Sequence, residues 1–81
     1  MKELLFAIIE DLVNKPESVH ITEEKNEDEG TLRLTLNVAK DDMGRVIGKQ
    51  GKIAKAIRTI VYAAAARNGF KASVDIEENA A

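Results

Sequence analysis

Two glycines three positions apart, Gly48 and Gly51, interrupt the most helix-prone part of this chain. The apolar pair Val46-Ile47 leads into the turn, Lys49 and Gln50 stand inside it, and a cationic amphipathic stretch leaves it from Lys52. The segment must therefore fold as a short helix, a tight turn and a longer helix. Glycine at both ends lets the backbone turn sharply and approach a ligand with no Cβ in the way. The first amides of the second helix have no partner within it, so an anion placed there gains hydrogen bonds and the positive end of the helix dipole. Arg45, Lys49, Lys52 and Lys55 surround that point with positive charge, and the Gln50 amide can donate. The arrangement suits a grip on a phosphate backbone. A helix–helix turn that needs glycine for geometry alone would use the same two residues.

The pattern is neither of the common nucleotide loops. Gly-x-x-x-x-Gly-Lys-[Ser/Thr] is absent, and a dinucleotide fingerprint would need a strand directly before the glycines.

Periodicity supplies the remaining elements. Leu4, Leu5, Ile8, Ile9, Leu12 and Val13 recur in pairs four apart, which predicts a helix over residues 3–14, stopped near Lys15 by Pro16. Val19 and Ile21 alternate with His20 and Thr22 as a short strand, and residues 26–30 form a polar hairpin turn. Leu32, Leu34, Leu36 and Val38 alternate with polar residues in the clearest strand of the chain. Asp41 or Asp42 can cap a short helix ending near Ile47. The long helix is predicted from Lys52 to Arg67, with Asn68-Gly69 as its stop. A last strand alternates Ala72, Val74 and Ile76 with Ser73, Asp75 and Glu77, and residues 79–81 are expected to fray. The order α-β-β-α-α-β predicts an α+β fold in one domain spanning 1–81, with a three-stranded mixed sheet covered on one face by three helices. Adjacent second and third strands would be parallel, joined by a right-handed crossover.

Charge is segregated along the chain. Residues 17–30 hold six acids and one lysine, whereas residues 40–58 hold six bases and two acids. A formal net charge of −2 therefore conceals a basic segment able to attract an anion locally. With no cysteine there is neither a disulfide nor a thiolate metal site, and no apolar run approaches the ~20 residues of a membrane span. A cytoplasmic domain without cofactor, metal or membrane partner is the expectation. Catalysis is not expected. His20 is the one histidine, set among acids, and Ser18 and Ser73 have no evident base. The adjacent Asp41 and Asp42 fit a helix cap better than an acid/base pair.

The segment Val46-Ile47-Gly48-Lys49-Gln50-Gly51, followed by an isoleucine-rich cationic helix, resembles the core of a KH domain, and the element order resembles its type II arrangement. Length and motif together are similar to the KhpA family of small bacterial single-KH RNA-binding proteins. The likeness is strongest from Gly44 to Ala65, although Ala54 stands where a larger aliphatic is usual in KH domains. The resemblance implies that Gly48, Lys49, Gln50 and Gly51 hold the backbone of single-stranded RNA, a role known for the GXXG loop of KH domains. It implies that Ile47, Ala54 and residues 71–76 line a narrow groove for about four nucleotides, with Asn68-Gly69-Phe70 at its rim. It also implies a larger KH partner, KhpB-like, and a chaperone or post-transcriptional role linked to cell elongation and peptidoglycan homeostasis.

The long helix carries a second feature. At 100° per residue, Ile53, Ala54, Ile57, Ile60, Val61, Ala64 and Ala65 fill an arc of roughly 140°, enough for a core face. Ala56 and Ala63 widen it to about 200° on the Ile60 side. That surplus predicts a homodimer or partner face around Ala56, Ile60 and Ala63, unless the alanines serve helix propensity alone. One alternative function follows: a protein-interaction module of KH-like shape that docks its partner through this helix. Salt-insensitive partner binding without RNA affinity would mark that alternative.

Overall fold

The computed structural model describes residues 1–79. Helix α1 (Lys2–Glu10) is followed by strands β1 (His20–Asn26) and β2 (Thr31–Val38), the short helix α2 (Met43–Ile47), the long helix α3 (Lys52–Arg67) and strand β3 (Lys71–Glu78). One-turn 3-10 segments precede β1 at Pro16–Ser18, precede α2 at Lys40–Asp42, and occupy Lys49–Gly51. The sheet order is β1-β2-β3, with β1 antiparallel and β3 parallel to the central β2. This is the mixed three-stranded α+β architecture expected from the alternating patterns.

The period-2 pattern of β2 makes the core. Leu32, Leu34, Leu36 and Val38 are all buried, and Leu34, Leu36 and Val38 meet Leu5, Ile9, Val46, Ile57, Val61 and Val74 in one cluster. The opposite face of the sheet carries Thr22, Glu24, Arg33, Thr35, Ser73 and Asp75 and stays polar. Each fully buried Leu or Ile contributes roughly 1.5–3 kcal/mol, so this single layer holds most of the available stabilisation.

Four expectations are corrected. Helix α1 ends at Glu10, not near residue 14. In a helix continuing to 14, the Asn14 amide would turn back on Glu10. Instead the Asn14 and Lys15 amides donate to the Asp42 carboxylate, each at 3.0 Å. For the same reason Asp42 is not a side-chain cap of α2, although it occupies the N-cap position. Asp41, the other candidate cap, lies exposed beside Lys15 Nζ at 3.4 Å. Strand β1 runs to Asn26, well past its apolar pair, because hairpin pairing with β2 from His20↔Asn37 to Asn26↔Thr31 carries its charged half. Those charges suit an edge strand, where they discourage pairing with another chain. Finally, Asn79 is anchored: its amide donates to the Val38 carbonyl at 2.9 Å, and its Nδ2 donates to Ser18 O at 2.6 Å. Residues 80–81 of the tail expected to fray lie outside the described residues.

Helix α3 ends where Asn68-Gly69 predicts. Gly69 takes φ +81°, and the amides of Gly69 and Phe70 fold back onto the carbonyls of Ala66 and Ala65 at 3.0 and 2.9 Å. This glycine stop delivers Phe70 to the sheet end, and the Lys71 amide then donates to Gly30 O at 2.8 Å, starting β3 beside β2.

Candidate nucleic-acid interface

The glycine turn between α2 and α3 has an unusual backbone. Gly48 sits at φ +76°, ψ 174°, Gln50 at φ +58°, ψ 25°, and Gly51 at φ +73°, ψ 14°. Gln50 is the one residue other than glycine with positive φ among the described residues. Holding a side-chain-bearing residue there costs of order 1–3 kcal/mol, and such strain gathers at binding sites. The loop is pinned at both ends: Gly48 N–H donates to Gly44 O at 2.9 Å, and Gly51 N–H donates to Gly48 O at 3.1 Å. The strain turns Lys49 and Gln50 outward, where both are exposed.

Gly51 is the N-cap of α3, and no side chain caps that helix end. The Lys52 amide is taken by the Lys49 carbonyl through the 3-10 turn, and the positive end of a 16-residue helix adjoins the loop. Lys52 and Lys55 are exposed along the first turn of α3, and among the described residues no acid pairs with Lys49, Lys52 or Lys55. Arg45 differs. It is exposed, but its Nε lies 3.2 Å from Asp42 Oδ1. Asp42 is 1% exposed and takes the Asn14 and Lys15 amides on its two oxygens. The Asn14 amide chiefly holds its carboxyl below the ordinary value, against burial, which raises it; the Lys15 amide and the Arg45 charge add to the lowering. Asp42 thus ties the chain after α1 to the helix that presents the glycine turn. Periodicity could not show this, since Asn14 and Lys15 lie 28 and 27 residues from Asp42 in sequence.

The fold gathers Arg45, Ile47, Gly48, Lys49, Gln50, Gly51, Lys52 and Lys55 around the α2–α3 junction, with Ile47 half-buried against the core cluster. Ala54 is buried. Across α3, the guanidinium Nε of half-buried Arg58 donates to the Val74 carbonyl of β3 at 3.2 Å. Arg58 had no place in the set of site residues read from the sequence. Its signal was there, because it stands four positions after Ala54 and so shares one flank of the helix. Phe70 is half-buried, lines a cavity with Met1, Leu32 and Ala65, and has Lys25 Nζ 4.7 Å from its ring centroid. Its ring is committed to the helix-covered face of β1 and β2.

The acidic strand β1 and its turn occupy one edge of the sheet, while α3 packs on β3 at the other, where Glu77 and Glu78 are also exposed. Ile60 is corrected from the core face: it is 46% exposed, beside exposed Ala56 and Ala63. The core contact of α3 is made by Ala54, Ile57, Val61 and Ala65.

Residues 2–76 match the family model for the KH domain of KhpA/KhpB. The chain belongs to this family. This KhpA/KhpB-type KH domain is 53% identical over 78 residues to the RNA-binding protein KhpA of Listeria monocytogenes, covering 96% of this chain and 100% of that one. It is 53% identical over 76 residues to KhpA of Clostridium perfringens, covering 94% and 99% respectively, and 45% identical over 78 residues to KhpA of Chlamydia trachomatis, covering 96% and 97%. Among solved structures, the KH domain superimposes on Era in complex with MgGDPNP and a segment of 16S ribosomal RNA. The TM-score is 0.55 at 18% identity, over 94% of this chain and 28% of that one. That likeness concerns the fold.

Proposed function

We propose that this protein binds single-stranded RNA through the Gly48–Gly51 turn. One observation carries the reading: a strained loop that turns Lys49 and Gln50 outward at the uncapped start of α3, with Lys52 and Lys55 continuing the positive track. The RNA-binding designation of the KhpA relatives supports it. The turn supplies amides and charge for two to four phosphates, with Arg45 held beside it by Asp42. Ile47 and the β3 side of α3 provide the apolar wall against which bases lie. The role is binding rather than catalysis.

The strip Ala56, Ile60 and Ala63 on α3 is the surface for a second KH protein of the KhpB kind or for a second copy. Its support is Ile60, a large apolar side chain exposed among small ones, which allow close helix approach. Pairing raises the affinity of a weak single module through effective concentration. The family resemblance extends the role to a cytoplasmic RNA chaperone or post-transcriptional regulator acting on cell elongation and peptidoglycan homeostasis.

The deciding test is fluorescence anisotropy with a short pyrimidine-rich RNA. Wild type is compared with Lys49→Asp/Gln50→Asp, after circular dichroism establishes that both fold. Selective loss in the variant is the expected result. Equal binding would move the site away from the turn.

A further inference from the structure

Helix α1 and the edge strand β1 leave an open groove between them. Lys2, Glu3, Phe6 and Ala7 share one flank of α1 and face Val19 and Ile21 across a space of about 390 Å³. Val19 and Ile21 pack against the core cluster, whereas Phe6 stands outside it and is 37% exposed. The groove ends at an unfinished sheet. Strand β1 pairs with β2 alone, so the amides and carbonyls along its other side have no strand partner. Ile21 lies on the helix-covered face, because its partner across the ladder is the buried Leu36. A strand laid along the outer side of β1 would turn alternate side chains to that same face, into the groove.

The surroundings are acidic. Glu3 lines the groove, Glu10 follows Phe6 by one turn of α1, Glu17 precedes Val19 by two residues, and Glu23 and Glu24 belong to β1 itself. Lys2 is the one base among the lining residues. Among the described residues no cation pairs with Glu10, Glu17 or Glu24. Arg33 stands opposite Glu24 in the ladder but turns to Asp75, with Nε and Nη2 each 3.3 Å from Asp75 Oδ2. Glu24 is thus an unneutralised acid on the open face of the edge strand. A second β1 in that position would bring Glu23 and Glu24 against the same acids, and like charges across a ladder repel. The charges that keep such a strand away select a basic one.

We propose that this edge takes up an extended, basic segment of a partner protein as a fourth strand beside β1. The segment alternates apolar residues, which enter the groove beside Phe6, with lysine or arginine, which meet Glu24 on the open face. Main-chain hydrogen bonds to β1 hold it, and the groove and the acids choose its sequence. The site lies at the sheet edge away from β3 and shares no residue with the glycine turn or with Ala56, Ile60 and Ala63. A segment held here leaves both of those surfaces free.

The test titrates two fluorescein-labelled heptapeptides, KVKIKVK and EVEIEVE, into wild type, Phe6→Ser and Glu24→Lys by anisotropy, after circular dichroism establishes that the proteins fold. Wild type should bind KVKIKVK about tenfold more tightly than EVEIEVE, the sum of several cross-strand charge pairs. Phe6→Ser keeps every charge and should weaken KVKIKVK about tenfold through lost apolar burial. Glu24→Lys leaves the groove intact and should narrow the preference between the peptides severalfold. With KVKIKVK at about ten times its Kd, hydrogen exchange followed by NMR should slow about tenfold at alternate amides of residues 20–26. Equal binding of KVKIKVK by wild type and Phe6→Ser reduces the contact to charge attraction and overturns the proposal. A peptide that binds without slowing the β1 amides overturns it too, since the occupant is then no strand. A wild type whose outer β1 amides are already protected in a dimer gives the edge to a second copy, and absence of KVKIKVK binding removes the site; each overturns the proposal. None of these results bears on RNA binding at the glycine turn, which contains neither Phe6 nor Glu24.

Discussion

A Cβ placed on Gly48 would stand 2.6 Å from Ile53 Cγ1, closer than two carbons can pack. Gly51, three residues on, has nothing within 4 Å of the same construction. The two glycines of the turn are therefore needed for different reasons. Gly48 combines a close approach with φ +76°, ψ 174°, a region open to essentially no other residue. Gly51 needs only the left-handed conformation. Gly48→Ala should cost about 2–4 kcal/mol, adding backbone strain to overpacking against Ile53. Gly51→Ala should cost only about 1–2 kcal/mol. Urea denaturation of the two variants beside wild type measures the difference, and equal costs would contradict it.

Asp42 should make stability depend on acid. Its carboxyl is held below the ordinary aspartate value of 3.8, first by the Asn14 amide, then, with burial opposing, by the Lys15 amide and Arg45. A carboxyl with a depressed folded-state pKa contributes stability that is fully present above its unfolded value and is lost as pH falls through the folded one. The thermal midpoint should therefore drop as pH falls below about 4. Asp42→Asn should show a lower midpoint at neutral pH and a shallower acid loss, followed by circular dichroism across that range.

Salt should weaken RNA binding in proportion to the phosphates held. With two to four contacts, the logarithm of affinity should fall against that of salt concentration with a slope of about −1.5 to −3. Lys52→Ala and Lys55→Ala should each flatten that slope by about 0.7 per lost contact, with no change in fold. A slope near zero would point to the protein-docking alternative.

Ile60→Asp should leave the monomer folded, at a cost of about 1 kcal/mol or less, because Ile60 is 46% exposed and stands outside the core cluster. Sedimentation velocity at micromolar concentration should show a dimer for wild type and a monomer for the variant. A monomeric wild type would remove self-association and leave the strip to a second KH protein.

The regular elements were legible because apolar spacing fixes which face is buried. Strand β2 and helix α3 appear with the limits that Leu32-x-Leu34-x-Leu36-x-Val38 and Lys52–Arg67 suggest. The glycine turn was legible as well, since few arrangements place a basic residue between two glycines at a helix start. What stayed hidden depends on contacts between segments distant in sequence. The end of α1 is set by Asp42, a residue whose own neighbourhood suggests a helix cap. The positive φ of Gln50 follows from loop closure between Gly48 and Gly51, not from any property of glutamine. Arg58 reads as one more surface cation until β3 is laid against α3. Ile60 belongs to the apolar arc by angle, yet the sheet is covered before the arc turns that far.

The parallel pairing of β3 with β2 has a kinetic meaning. The β1–β2 hairpin and the glycine turn are closed by near neighbours, and loops of that size close quickly. The ladder from Thr31↔Lys71 to Val38↔Glu78 instead joins distant segments, with α2, the glycine turn and all of α3 between them. Non-local parallel pairing of this kind sets the pace of folding. The glycine turn can thus form while β3 is still undocked, so a refolding chain should present its charged turn before the wall carrying Val74 stands beside it.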